Sequence, residues 1–182
     1  MTKFSAVARI AIFGAVAALS TACAHQPERP LADAHPHIDL QRYMGAWYVI
    51  ANVPYFAERG NVASRDVYAL DKEGRVETTY VYRKSFDRPE KTVKSVATVV
   101  PGTDDSRWVV KFFGLFRTDY WILDIAPDYS WALIGQPDHK LGWVLARNPA
   151  MDEATYRSLL ERFRGFGYDT AAFERVPQVP GR

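Results

Sequence analysis

The chain has 182 residues, 48% of them apolar and 24% charged, enough for one domain with a substantial core and too apolar for a disordered chain. Its formal net charge of +2 resides in the first 22 residues, where Lys3 and Arg9 have no acidic counterpart, and the rest carries 23 − 2 = 21 basic against 21 acidic residues. No Lys/Arg surplus remains to follow a phosphate backbone, which argues against nucleic acid as a partner. The one cysteine, Cys23, excludes an intramolecular disulfide and a thiolate zinc cluster.

Residues 1–22 read as a secretory signal. Lys3 and Arg9 precede Ile10–Leu19, ten residues without a polar side chain. That is half of the roughly 20 residues needed to cross a hydrocarbon core. The following Ser20-Thr21-Ala22-Cys23 resembles a bacterial lipobox, with Leu19 one place further from the cysteine than usual. The resemblance implies that Cys23 is acylated and anchors the chain to a membrane. Ala24 after the cysteine implies the outer membrane, with the domain facing the periplasm. The alternative is ordinary cleavage after Ala22-Cys23-Ala24, which removes the cysteine. Residues 23–37 then form a flexible tether, with Pro27, Pro30 and Pro36 and no hydrophobic period. Its histidines, His25, His35 and His37, lack the fixed geometry that a metal site needs, and no metal site is expected.

From Gly45 to Arg147 short aromatic and β-branched runs alternate with turn residues. The pattern predicts strands near 46–53, 63–70, 75–83, 91–100, 106–113, 119–125, 129–135 and 141–147. Between them lie Asp71–Gly74, Asp87–Pro89, Pro101-Gly102, Pro127-Asp128 and Pro137-Asp138, all with turn chemistry. Eight such strands imply an antiparallel up-and-down barrel or a sandwich. The period then changes: Asp152 can cap a helix in which Tyr156, Leu159, Leu160 and Phe163 share one face and Gly165 marks the end. A helix with a single apolar stripe lies on the outside of the sheet. The domain so defined spans 38–176, with 177–182 as a tail.

Three features carry a family resemblance. Gly45-Ala46-Trp47-Tyr48 opens the first strand after a turn capped by Asp39, Thr118-Asp119-Tyr120 leads into a later strand, and Arg147 ends the last one. Together they resemble the motifs of the lipocalins, in order. The segments Tyr43–Tyr48, Phe56–Gly60, Phe112–Phe116, Gly135–Asp138 and Trp143–Arg147 resemble the bacterial outer-membrane subgroup related to apolipoprotein D. The resemblance implies an eight-stranded antiparallel β-barrel with a C-terminal helix, wide enough for one small ligand. It implies that Trp47 plugs one end with Arg147 across its ring, that Gly45 lets the chain enter close to the indole, and that Asp119 accepts hydrogen bonds at a closed-end turn.

Alternation from an inward Trp47 turns Val49 and Ala51 into the barrel. Counting back from Arg147 adds Leu145 and Trp143. The apolar face of the fifth strand adds Trp108, Val110 and Phe112, and the family pattern adds Tyr120 and Ile122. Val99, Ala97, Tyr80 and Tyr82 are weaker candidates for the same wall. Near the mouth, Trp108, Tyr120 and Trp143 are expected to meet an amphipathic guest. Residues 53–60 form a candidate lid, in which Arg59 either meets an anionic headgroup or pairs with a local acid such as Glu58.

These expectations describe a binding protein for a fatty acid or lysophospholipid, serving lipid transport, storage or scavenging at the outer membrane. No nucleophile elbow, His-Glu-x-x-His or phosphate loop is present, so no catalytic residue and no cofactor is expected, and the chain reads as a non-enzyme. The alternatives are another hydrophobic guest such as a tetrapyrrole, for which His139 is the only barrel-region histidine, or a scaffold whose own aromatics fill the cup. A homodimer remains compatible with the sequence.

Overall fold

Strands built from alternating residues must bury their apolar face, and here the sheet does so by curling on itself and closing. The computed structural model describes residues 30–179. The signal, Cys23, His25 and residues 180–182 lie outside this range. The strands are β1 (Gly45–Asn52), β2 (Val62–Leu70), β3 (Val76–Arg83), β4 (Lys91–Val99), β5 (Arg107–Phe112), β6 (Phe116–Ile125), β7 (Trp131–Gly135) and β8 (Gly142–Ala146). Each pairs antiparallel with its neighbours in sequence, and β1 pairs with both β2 and β8. The result is a closed eight-stranded antiparallel barrel followed by a helix. Strand limits agree with the periodicity to within a residue or two. The exception is β6, which starts at Phe116 because its first residues pair with β5 straight after a short turn.

The strand directions place the loops 53–61, 84–90, 113–115 and 136–141 at one end, the open end. At the other end a one-turn helix, α1 (Leu40–Tyr43), enters β1, with the Asp39 carboxylate accepting from the Arg42 backbone N–H at 3.1 Å. Trp47 is fully buried there, and its indole N–H donates to the Tyr43 carbonyl at 2.7 Å. The Arg147 guanidinium lies 3.9 Å from the indole centroid and donates to the carbonyls of Ala46, Arg42, Tyr43 and Met44 at 2.7–3.0 Å. Gly45 has a φ of +94°, and a Cβ there would stand 3.4 Å from an Arg147 nitrogen. That distance is ordinary van der Waals contact, so the left-handed backbone, rather than space beside the arginine or the indole, is what calls for glycine here.

Helix α2 (Glu153–Gly165) is capped as its sequence predicts, with Asp152 accepting from the Thr155 N–H at 2.9 Å. It buries Tyr156, Leu159 and Phe163 on the outer face of the barrel, against Ile50, Leu123, Leu133, Val144 and Ala146. Tyr168 reinforces this layer: its hydroxyl accepts from the Gln136 N–H at 2.8 Å. A Cβ at Gly135 would lie 2.2 Å from that hydroxyl, so only glycine admits it.

Two terminal segments are more ordered than their composition implies. Leu31–Asp33 forms a 3-10 turn, and Leu31 and Ala34 are buried in the outer cluster, so the tether is docked from that point on. At the other end a two-residue strand, β9 (Glu174–Arg175), pairs with Ala51 and Asn52 where β2 leaves β1. Pro177 and Gln178 belong to the same seam: the Pro177 carbonyl accepts from Ala63, and the Gln178 amide donates to the carbonyls of Val49 and Ser64. The tail predicted from residue 177 therefore starts later.

Arg147→Ala removes the cation–π contact and four hydrogen bonds to carbonyls, and should lower the unfolding free energy by about 2–4 kcal/mol. Urea denaturation followed by tryptophan fluorescence measures this. Arg147→Lys should recover only part of the loss, because one ammonium cannot reproduce the planar fork.

Candidate ligand-binding site

Cross-strand pairs share a face, so the register identifies the barrel interior directly. Trp47 pairs with Asp66, Asp66 with Tyr80, and Tyr80 with Val93. Trp108 pairs with Val99 and Tyr120, Val110 with Ala97 and Thr118, and Phe112 with Ser95 and Phe116. Ile134 pairs with Ile122 and Trp143, and Leu145 with Ala132. All of these side chains face inward.

The interior has two layers of different character. The closed-end half is packed solid by Tyr43, Trp47, Tyr68, Trp108, Ile122 and Leu145, each no more than 3% exposed. The Trp108 and Tyr120 rings stack at 4.9 Å, and Trp108 lies edge-on to Tyr43 at 5.2 Å. The Tyr120 hydroxyl bonds those of Tyr43 (2.7 Å) and Tyr68 (2.8 Å), and Tyr68 donates onward to Asp66 at 3.1 Å. Burial pushes all three phenols well above their usual pKa, which keeps this chain protonated. Above that floor the inward side chains of Thr78, Tyr80, Val93, Ser95, Phe112, Thr118 and Trp143 are half-buried, and they line the open-end half of the barrel, the candidate cup.

The predicted wall residues divide accordingly. Tyr80, Phe112 and Trp143 reach the cup, as does Tyr82, which stacks on Tyr80 at 5.1 Å. Val110 stands at its base, 6% exposed. Val49, Ala97, Trp108, Ile122 and Leu145 face inward and are buried in the cluster that fills the closed end, and Val99 and Tyr120, partly buried like Tyr80, Phe112 and Trp143, pack against it. Trp108 and Tyr120 are thus floor rather than mouth, and their polar tips are already bonded, the indole of Trp108 to the Asp105 carbonyl.

Ala51 does not face the cup. A register shift between Val49 and Ala51 places Ile50 and Ala51 in the outer cluster under α2 and turns Asn52 inward. The β-bulge reverses the alternation that the count from Trp47 assumed. Asp119 is also misplaced by the sequence pattern: it lies within β6 opposite Val109, exposed and outward. Its carbonyl and the Thr118 hydroxyl accept from Gln136 of the open-end β7–β8 loop. The closed-end turn between β6 and β7 instead uses Asp128, which accepts from the Ser130 N–H, and Tyr129, whose hydroxyl accepts from the Asp39 N–H.

Alternation among apolar residues overlooks the polar groups of the cup. Asp66 lies between Trp47 and Tyr80 and accepts one hydrogen bond among the described residues, from Tyr68. Its position two residues before the inward Tyr68 was the available signal. Burial, aided by the nearby Glu58, pushes its pKa up to about 7. Glu58 folds from the β1–β2 loop over the mouth, where its Oε2 accepts from Asn52 (2.5 Å) and Trp143 (2.9 Å). Burial pushes its pKa up as well, opposed by these two bonds. Asn61 and Ser64 hold the Tyr80 hydroxyl, and Lys84 donates to Asn61 at 2.7 Å. Arg59, exposed, bonds the Pro54 carbonyl and makes no ion pair with Glu58. Around the rim Phe56, Phe113, Leu115 and Phe116 are 68–91% exposed.

Among the described residues no group of three or more His, Cys, Asp or Glu side chains could hold a metal. His35 pairs instead with Asp104 at 3.3 Å. His139 packs on Tyr168 and the Phe166 carbonyl in the outer layer, away from the cup.

A plugged, closed eight-stranded barrel with an outer helix matches the lipocalin-like domain, whose family pattern covers residues 38–178. The chain belongs to the lipocalin family. It is 34% identical over 151 residues to temperature-induced lipocalin-1 of Arabidopsis thaliana, covering 78% of this chain and 80% of that one. It is 28% identical over 151 residues to the outer membrane lipoprotein Blc of Escherichia coli K12, covering 80% and 81%. Insecticyanin from the tobacco hornworm Manduca sexta shares the fold at 20% identity, with a TM-score of 0.62 over 85% of this lipocalin and 89% of that chain. As a lipocalin, the chain is a member of a family that binds hydrophobic ligands.

The raised pKa of Asp66 gives the folded lipocalin an extra proton between about pH 4, where an unfolded Asp titrates, and about pH 7. Folding stability therefore falls as pH rises through this window and levels off above it. Asp66→Asn removes that loss. In denaturant unfolding the variant's stability relative to wild type should be more favourable at pH 8 than at pH 5.

Proposed function

We propose that this lipocalin binds a fatty acid or lysophospholipid in the upper half of its barrel and serves lipid transport, storage or scavenging in the cell envelope. The observation that carries this reading is the contrast between the two layers: a floor filled by the chain's own aromatics, and above it a half-exposed wall of Tyr80, Val93, Phe112 and Trp143. The apolar rim residues extend that wall outward, where an acyl chain would leave the cup.

The magnitudes are adequate. Burying about 12 methylenes at about 0.8 kcal/mol each yields roughly 10 kcal/mol, and association costs at least about 4 kcal/mol. About −6 kcal/mol remains, a Kd of tens of micromolar, and one head-group contact brings it to micromolar. An acylated Cys23 would hold the cup at the periplasmic face of the outer membrane. The similarity to an outer membrane lipoprotein supports that location. The function is binding rather than catalysis, and it needs no cofactor.

Titration with palmitate and lysophospholipids below their micelle concentrations should quench tryptophan fluorescence saturably at low micromolar ligand. Trp143→Asp, which sets a second carboxylate beside Glu58, should weaken binding at least about tenfold. No saturable change with either class, and no acyl species extracted from the purified protein, overturns the reading.

A further inference from the structure

The loops of the open end differ sharply in how they dispose of charge. In the β3–β4 loop Glu90 pairs with Arg65 and Arg83, Arg88 lies 3.9 Å from Asp87, and Lys84 is bonded to Asn61. In the β7–β8 loop Lys140 pairs with Asp138 at 2.9 Å. The β1–β2 and β5–β6 loops do the opposite. Phe56 is 91% exposed in the first, and Phe113 and Leu115 are 78% and 84% exposed in the second. Beside Phe56 stands Arg59, and beside Phe113 and Leu115 stand Lys111 and Arg117, all exposed and all without an ion pair among the described residues.

The pairing of the strands sharpens this contrast. Lys111 stands directly opposite Arg117 across β5 and β6. Like charges in that position repel, so the hairpin keeps an unfavourable pair at its tip that an external anion would relieve. Lys94 of β4, exposed and also unpaired, lies level with the same turn, one residue before the partner of Phe112. Asp119, the acid on the outer face of β6, is opposite Val109 and further from the turn. In the closed barrel four strands separate the β1–β2 loop from the β5–β6 loop on either side, so the two apolar, cationic tips face each other across the mouth.

Exposed apolar residues rimmed by charge mark a docking surface, and aromatic side chains with basic neighbours suit the boundary between acyl chains and anionic head groups. Two separated tips with an open mouth between them offer no continuous groove for a folded partner. A fluid lipid surface meets both at once without a matching shape. We propose that the two tips dock this lipocalin mouth-down on an anionic lipid surface, with Phe56, Phe113 and Leu115 entering the acyl boundary and Arg59, Lys111 and Arg117 meeting head-group phosphates. The docking stands on the rim alone. Its consequence, that a guest passes between bilayer and cup without crossing water, rests on the ligand-binding reading above.

A tryptophan placed at each tip reports its depth. The full chain is reconstituted into vesicles of phosphatidylcholine and phosphatidylglycerol, with the phosphatidylcholine brominated along its acyl chains. Leu115→Trp and Phe56→Trp should each add fluorescence that bromine quenches beyond the quenching of wild type. Lys72→Trp, exposed in the closed-end β2–β3 turn, should add fluorescence that bromine leaves intact. Lys111→Glu together with Arg117→Glu should cut the quenching of Leu115→Trp at least about threefold, as should omission of phosphatidylglycerol. The two tips give independent readings if one variant fails to fold. Equal quenching at Lys72→Trp and at the tips, or none at either tip, overturns the docking. Tip quenching that survives the charge reversal unchanged overturns the anionic surface as its partner. A chain that sediments as a dimer with both tips shielded from bromine assigns them to a second copy and overturns it as well. No guest enters this experiment, so its failure leaves the ligand-binding reading standing.

Discussion

The guanidinium of Arg147 against the indole of Trp47 is the contact on which the rest of the barrel depends. It joins the first strand to the residue after β8, and it does so through five acceptors at once: one ring face and the four carbonyls of Arg42, Tyr43, Met44 and Ala46. An eight-stranded barrel has a bore that water can enter from either end. Closing one end converts a tube into a cup, and only then can the upper wall present apolar surface to a guest. The stacked floor of Tyr43, Tyr68, Trp108 and Tyr120 is built on that plug.

The floor also sets the chemistry above it. Three phenols linked by hydrogen bonds end on Asp66, so the base of the cup is a polar chain inside an aromatic shell. A wholly apolar tail gains little by descending to that level, where it would desolvate a carboxyl without replacing its partners. Depth and charge thus act together, limiting how far a chain penetrates and selecting the kind of group that can rest there.

Much of this was legible in the sequence, and the exceptions have physical causes. Period-two alternation, the turns between strands and the Asp152-capped stripe ending in Phe163 placed eight strands and the helix, because these reflect local backbone geometry and one-sided burial. The inward face was correct for Trp143, Phe112 and Tyr80. Ala51 failed because a β-bulge is a decision of the pairing partner, invisible in a single strand. Trp108 and Tyr120 were on the right face at the wrong depth, since parity carries no information about height in a barrel. Asp66 and Glu58 were overlooked because buried acids interrupt the apolar pattern that reveals the wall. Thr118-Asp119-Tyr120 suggested a closed-end turn by its residue types, whereas pairing with β5 draws it into the middle of a strand.

The seam beside β1 has a consequence for how the molecule is made. β1 is among the first segments synthesised, yet its edges are taken by β8, by β9 and by the Gln178 amide, near the end of the chain. Such pairings have the largest sequence separation the topology allows, and loop-closure entropy opposes them until late in folding. The barrel therefore cannot seal until β8 and the Glu174–Gln178 segment have emerged. Until then β1 waits with an open edge, the kind of template that other chains can pair with.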